Sequence, residues 1–277
     1  MSKNFESCVR HVQRVATLLD KLGFTINMKK SVFTPSQVIE FLGFIMDSKN
    51  MTVTLPFDKK SSIKTMCEQT LAKAILTIRH IACLLGKFNA ACLAVPFGKL
   101  HYRDLDRDKT SALFENEWNF DKKFSLSGCA KADIRWWAEN VLDAWSPINR
   151  GLPSMTLTTD ASGYGWGAVL EEENRTTGGL FDSDEGKFHI NVKETMAVRF
   201  GLESLCQTKT NCHLRLMSDN QPSVGAINKM GSSKSRSLDQ AVKDLWGWCA
   251  SQGCWVTACH IPGDNNEEAD ALSRNFD

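Results

Sequence analysis

Apolar residues at Val9, Val12, Ala16, Leu19 and Leu22 recur at the three- and four-residue spacing of a helix, which Gly23 closes. Phe24-Thr-Ile-Asn27 then reads as a strand. Ile39 to Met46 and Met51 to Leu55 are strand-like runs on either side of Asp47-Ser-Lys-Asn50, so the pair predicts a hairpin. After Pro56 the period returns to that of a helix, over 60–73 and 76–91, the second stretch carrying Ile78, Ile81, Ala82 and Leu85 on one face. Ser146-Pro-Ile-Asn-Arg-Gly-Leu-Pro-Ser154 is rich in turn formers and marks a boundary near residue 150. Beyond it, Met155-Thr-Leu-Thr-Thr-Asp160 and Leu214-Arg-Leu-Met-Ser-Asp219 read as strands. Val192 to Leu202 and Asn266 to Arg274 read as helical. No internal repeat or low-complexity tract interrupts these elements.

Composition narrows the class. With 277 residues, 42% of them hydrophobic, the chain can bury one large core or two smaller ones, and the boundary near 150 predicts two. No run of about 18 apolar residues exists, and Met1-Ser-Lys-Asn-Phe-Glu lacks an apolar leader, so the expectation is an intracellular protein, cytoplasmic or nuclear, neither secreted nor in a membrane. The ten cysteines contain no Cys-x-x-Cys, and Cys249, Cys254 and Cys259 recur without a partner histidine pair; they read as reduced, mostly buried thiols. A net charge of +1 hides a division. Residues 1–150 hold 22 Lys and Arg against 15 Asp and Glu, a surplus of 7, whereas residues 151–277 hold 11 against 17, a deficit of 6. A basic half can track phosphates, and an acidic half needs cations before it can approach a polyanion.

Four acids carry the chemistry. Asp160 and Asp219 each end a strand, Glu194 opens a helix, and Asp270 lies in the last helical stretch. Gathered at one site they would repel strongly, and divalent cations would relieve them. All-oxygen ligation favours Mg²⁺, with Mn²⁺ as a substitute. Each acid also has an ordinary reading. Glu194 fits the third position of an Asn191-x-x-Glu capping box, and Asp219 could cap the helix that Pro222 begins. Asp160-Ala-Ser-Gly163 would pass as a turn, and Asp270 as a solvated helix residue.

Order and context together produce a resemblance. Thr159-Asp160-Ala161-Ser162 with Gly165-Trp166-Gly167, then Val192-Lys193-Glu194, then Ser218-Asp219-Asn220, then His260-Ile-Pro-Gly-Asp-Asn-Asn-Glu-Glu-Ala-Asp270 with Leu272-Ser273-Arg274, resembles the ribonuclease H domain of retroelement reverse transcriptases, most closely those of DIRS-like retrotransposons. The resemblance implies an α/β domain over 151–277, ribonuclease H-like, with a mixed five-stranded sheet and flanking helices. Strands would end at Asp160, run from Trp166 to Leu170, lie near 177–181, end at Asp219 and span Trp255 to His260. It also implies a two-metal endonuclease that hydrolyses the RNA strand of RNA·DNA hybrids. Asp160, Glu194, Asp219 and Asp270 would hold two Mg²⁺ ions, with Asp160 bridging both. His260, ten residues before Asp270, would serve proton transfer or product release. Ser162, Gly163 and Asn220 are candidate substrate contacts, because reading 2′-hydroxyls needs short polar groups; turn formation is their ordinary role.

The first half is similar to the later part of a retroelement reverse transcriptase. Leu22 to Ser31 resembles the end of a palm, with Lys30 as its substrate-binding lysine, and Phe41-Leu-Gly-Phe44 resembles the hairpin that grips a primer terminus. The expected architecture is an α+β palm remnant over 1–58 and a helical thumb and connection over 59–150, with template–primer duplex among the partners. The Trp136-Trp137 pair in that connection reads as core, with base stacking as the alternative. No Asp-Asp dipeptide occurs, so this polypeptide alone carries no polymerase expectation, and a polymerase partner would have to supply fingers and palm. The second functional reading is therefore a catalytically silent nucleic-acid-binding remnant or structural subunit.

Overall fold

The computed structural model describes residues 4–275. Asn4 opens the first helix, α1 (Phe5–Lys21), by accepting the Ser7 N–H. The helix has the predicted apolar face, yet none of its residues is buried. Phe24 to Asn27 form no strand: the segment finds no partner to pair with, Phe24 is exposed, and Asn27 instead caps a short 3₁₀ turn over Met28–Lys30. The run from Ile39 to Met46 is also not one strand. It folds back at Leu42-Gly43, where φ values of 50° and 80° make a two-residue turn between β1 (Val38–Phe41) and β2 (Phe44–Asp47). The hairpin expected around residues 47–50 is present, with the Asp47 carboxylate accepting the Lys49 and Asn50 N–H groups before β3 (Thr52–Thr54).

Helices α2 (Phe57–Leu71) and α3 (Ile78–Ala91) follow, separated by β4 (Leu76–Thr77). Then come α4 (Arg103–Glu115), β5 (Lys123–Phe124), which pairs with β4, and α5 (Gly128–Asn140). A last short strand, β6 (Ser146–Pro147), returns to pair with β3. Phe88 and Trp137, both fully buried, stack at 4.3 Å in the centre of this half. Trp137 is thus core. Trp136 is half-buried and stacks on His101.

The second half is a mixed five-stranded sheet in the order β11-β10-β7-β8-β9, comprising β7 (Met155–Ala161), β8 (Gly165–Leu170), β9 (Arg175–Leu180), β10 (His213–Ser218) and β11 (Trp255–His260). The first three pair antiparallel, while β10 runs parallel to both β7 and β11. Helix α6 (Ile190–Leu205) crosses one face. There Gly201 lies so close to Ala168 that a side chain could not fit. On the opposite face Gly167, the neighbour of Ala168, touches α9 (Glu267–Arg274) in the same way. The sheet is therefore sandwiched by close helix contacts that glycine alone permits. Helices α7 (Gln221–Asn228) and α8 (Arg236–Gln252) fill the crossover from β10 to β11.

The halves interlock. Leu100 joins the core of the five-stranded sheet, and Phe97, held at φ 62°, lies 5.9 Å from both Trp246 and Trp255. Arg107 pairs with Asp239 at 2.8 Å, and Lys243 pairs with Asp104 at 2.7 Å. The Asp133 carboxylate, buried nearby, accepts the Asp104 and Leu105 N–H groups at the start of α4, and burial pushes its pKa up to about 7. All ten cysteines are free, but only Cys67, Cys206, Cys249 and Cys254 are buried, fewer than expected; Cys83 and Cys129 are exposed.

Candidate metal centre

Parallel pairing of β7 with β10 brings two carboxyl ends together, Asp160 near the end of one strand and Asp219 one residue past the other. Glu194 reaches them from the first turns of α6. Asp160, Glu194 and Asp219 each offer a carboxylate oxygen within 4.8 Å of the other two. Asp160 and Glu194 are both 4% exposed. Neither capping alternative survives: His189 caps α6 through Nδ1, Asn220 caps α7 by accepting the Ser223 N–H, and Glu194 points at the other acids.

The cost of this clustering is visible in the protonation chemistry. Burial, then the charges of Asp160 and Asp219, push the Glu194 pKa up to about 9, against smaller opposing hydrogen bonds from the Ala161 N–H and the Ser218 hydroxyl. Burial likewise raises Asp160, with Asp219 and Asp270 adding to the effect, while a hydrogen bond from Ser273 and the charge of Arg274 oppose it. One oxygen of Glu194, Oε2, is buried with no hydrogen-bond partner. Three carboxylates, an orphaned buried oxygen and no cationic side chain among the clustered ligands form a donor set that fits a hard divalent cation.

Asp270 stands apart from the three. Its Oδ1 accepts from Arg274 Nε at 2.7 Å, and it remains close enough to raise the Asp160 pKa. His260 ends β11 beside Ser218, exposed, with Nε2 3.0 Å from the Asp219 carbonyl oxygen. A carbonyl can only accept, so Nε2 is the donor in this contact.

The short polar groups near the site are largely committed elsewhere. Ser162 is buried. Its hydroxyl donates to the Ser273 carbonyl at 2.7 Å and accepts the Tyr164 and Gly165 N–H groups. Asn220 spends Oδ1 on Ser223 and Nδ2 on Asn191. Gly163 is exposed at the turn, its carbonyl held by Lys193 Nζ at 2.7 Å. Lys30 is exposed on the 3₁₀ turn of the first half.

Two residues without a predicted role hold Asp160 in place. Asn266 Nδ2 donates to Asp160 Oδ1 at 3.2 Å, and the Ser273 hydroxyl lies 2.6 Å from Oδ2. Both are buried. Their signal was present as small polar residues within the His260 to Arg274 motif, but only the packing of α9 against β7 and β8 gives it meaning.

No family model matches the chain. The enzymatic polyprotein of Cauliflower mosaic virus (strain D/H) is 31% identical over an alignment of 151 positions that covers 49% of this chain and 21% of that protein. The Strasbourg strain's polyprotein matches to the same extent. Over that stretch this chain is related to a viral enzymatic polyprotein. It spans about a fifth of the length of the relatives it matches. Among solved structures, the ribonuclease H1 of Halobacterium salinarum is 20% identical with a TM-score of 0.36, covering 43% of this chain and 92% of that one. A foamy viral protease-reverse transcriptase in complex with double-stranded DNA is 14% identical with a TM-score of 0.45, covering 94% of this chain and 44% of that one. Among the described residues no helix is long and apolar enough to cross a membrane.

Proposed function

We propose that this chain is a divalent-metal-dependent endonuclease of the ribonuclease H type, hydrolysing the RNA strand of RNA·DNA hybrids, from an element of the DIRS-like kind. The observation that carries the reading is the trio Asp160, Glu194 and Asp219, the first two of them buried, whose crowded carboxylates repel one another and hold the Glu194 pKa far above its ordinary value. Asp160, Glu194 and Asp219 would hold Mg²⁺ or Mn²⁺, and Asp270 would join them on leaving Arg274. Two cations held there would supply the charge needed to activate a water and to stabilise the leaving oxygen in an in-line displacement at phosphorus.

The chain's own groups do the rest. Asn266 and Ser273 orient the Asp160 carboxylate. His260, fixed through Nε2 to the Asp219 carbonyl, offers Nδ1 as the atom that takes up and releases a proton at the edge of the site. The basic first half, with Lys30 exposed, tracks the phosphates of a template–primer duplex. The exposed apolar residues of α1 and of Phe24, Phe41 and Leu42 are surface that a polymerase partner supplying fingers and palm would cover. Ser162 has no free side-chain capacity, so its turn offers the backbone of Gly163, while Asn220 keeps one Nδ2 hydrogen for a substrate contact.

One observation favours the second reading, a catalytically silent nucleic-acid-binding remnant: Asp270 is paired with Arg274 and lies outside the trio. Cleavage of an end-labelled RNA·DNA hybrid separates the two. The nuclease reading expects cutting in Mg²⁺, none in chelator, strongly reduced cutting by Asp219→Asn, and none of single-stranded RNA or duplex DNA. A folded chain that binds the hybrid without cutting it would instead be the silent remnant.

A further inference from the structure

The turn between β7 and β8 follows Asp160 directly, and its backbone is fixed from three sides. Ser162 ties it to the end of α9 through the Ser273 carbonyl, Lys193 ties Gly163 to α6, and the Phe181 N–H ties the Tyr164 carbonyl to the chain just after β9. Lys193 is itself unusual. It is 5% exposed, directly precedes Glu194, and its ammonium sits 5.6 Å from the Phe181 ring centroid. A buried lysine with such partners holds one geometry, so the turn is rigidly registered to the helix that bears Glu194. At the tip of this fixed backbone stands Tyr164, 82% exposed, whereas Trp166 and Phe181, on the strands beside it, are each 9% exposed. The Tyr164 side chain has no hydrogen bond, ring stack or ion pair among the described residues.

A rigid backbone that presents one unpartnered aromatic is a preorganised contact surface, because the ordering cost has already been met by the fold. By strand geometry the turn lies roughly 10 Å from Asp160, about two nucleotides along a backbone whose scissile phosphate sits at the acids. Ser162, the polar side chain of the same turn, has no capacity left for a ligand. We propose that Tyr164 is a substrate-contacting residue, its ring packed against the sugars of the RNA strand beside the scissile phosphate and its hydroxyl within reach of a 2′-hydroxyl, with Lys193 as the positioning residue that sets the turn. This rests on the nuclease reading and adds to it a determinant of affinity carried by a side chain.

The test uses the full chain. Hybrid binding is measured by fluorescence anisotropy in Ca²⁺, and KM and kcat for hybrid cleavage are measured in Mg²⁺. Tyr164→Ala should raise both Kd and KM about tenfold and leave kcat within about twofold, since removing an aromatic contact to a nucleotide costs binding and not chemistry. Tyr164→Phe should recover most of the affinity, and Tyr164→Leu should not. Thermal unfolding of all three should match the parent, because the side chain is exposed. Lys193→Met should also raise KM, and Lys193→Arg should restore part of it. Parent-like Kd and KM in Tyr164→Ala, in a chain that does cut hybrid, would overturn the contact and leave the nuclease reading standing. A parent that neither binds nor cuts hybrid would remove both. An equal loss on duplex DNA would overturn the assignment to the RNA strand.

Discussion

Helices α1 and α6 have nearly the same length, 17 and 16 residues, and opposite fates. α1 carries the cleaner apolar stripe, yet no residue of it is buried. α6 has a weaker stripe and ten buried residues, including Lys193 and Glu194. Periodicity says which face of a helix is apolar; it does not say whether anything covers that face. The five-stranded sheet covers α6 on one side and α8 covers it on another, whereas the segment after α1 fails to form a strand against it. Burial is also what makes Glu194 chemically distinct, since the same carboxylate on α1 would be solvated and ordinary.

That contrast can be broken or sharpened by experiment. The largest effect should come from the acids: Asp219→Asn should lower hybrid cleavage by on the order of 10²–10³-fold with binding retained, while Asp20→Asn on α1 should leave cleavage at the parental rate. Retained cleavage in Asp219→Asn would take that residue out of the site. Next comes packing. Leu202→Ala in α6 should cost about 2–5 kcal/mol in urea unfolding, and Leu18→Ala in α1 within about 0.5 kcal/mol; equal costs would mean that α1 is covered in solution.

Positioning should follow. Ser273→Ala removes the hydroxyl 2.6 Å from Asp160 and should weaken Mg²⁺ binding, followed by calorimetry, by about 10-fold or more. Unchanged affinity would remove Ser273 from the support of the site.

The smallest effect is one of pH. In chelator, folded Glu194 keeps its proton to about pH 9 but would release it near 4.5 when unfolded, so the native state binds more protons across that window and stability falls as pH rises through it. Asp133, raised to about 7, and the thiols of Cys67, Cys92, Cys206, Cys212 and Cys249, raised by burial, have the same sign, so the share of Glu194 between pH 7 and about 8.5 is the part of the decline that Glu194→Gln removes. The melting temperature should fall over that range in the parent, stay flatter in Glu194→Gln, and recover on adding Mg²⁺. A flat parental profile would mean that Glu194 is ionised and solvated.

Much of the second half was legible from residues alone. Strands ending at Asp160 and Asp219, the helix carrying Glu194, and the closing helix all lie where their patterns put them, because period-two and helical periods are local properties of the chain. The turn at Asp47 to Asn50 was equally readable, since its carboxylate satisfies its own backbone. The hairpin at Leu42-Gly43 was harder. Leu42 at positive φ follows no local preference and is set by the pairing of β1 with β2.

The candidate site divides in the same way. Which residues could be acids of a metal centre followed from the sequence. Which of them meet did not, because it depends on the parallel register of β7 with β10 and on the rotation of α6 about its axis. Asp270 was left with Arg274 by the i,i+4 geometry of its own short helix. Ser162 commits its hydroxyl hydrogen to Ser273, and Asn220 one of its two amide hydrogens to Asn191, both partners far apart in sequence. By itself the sequence determined the order and type of the elements and the residues able to bind a cation, since both are written in local spacing. Only the tertiary structure decided which side chains are dehydrated, paired or left free, because those outcomes depend on what distant segments bring to within a few ångströms.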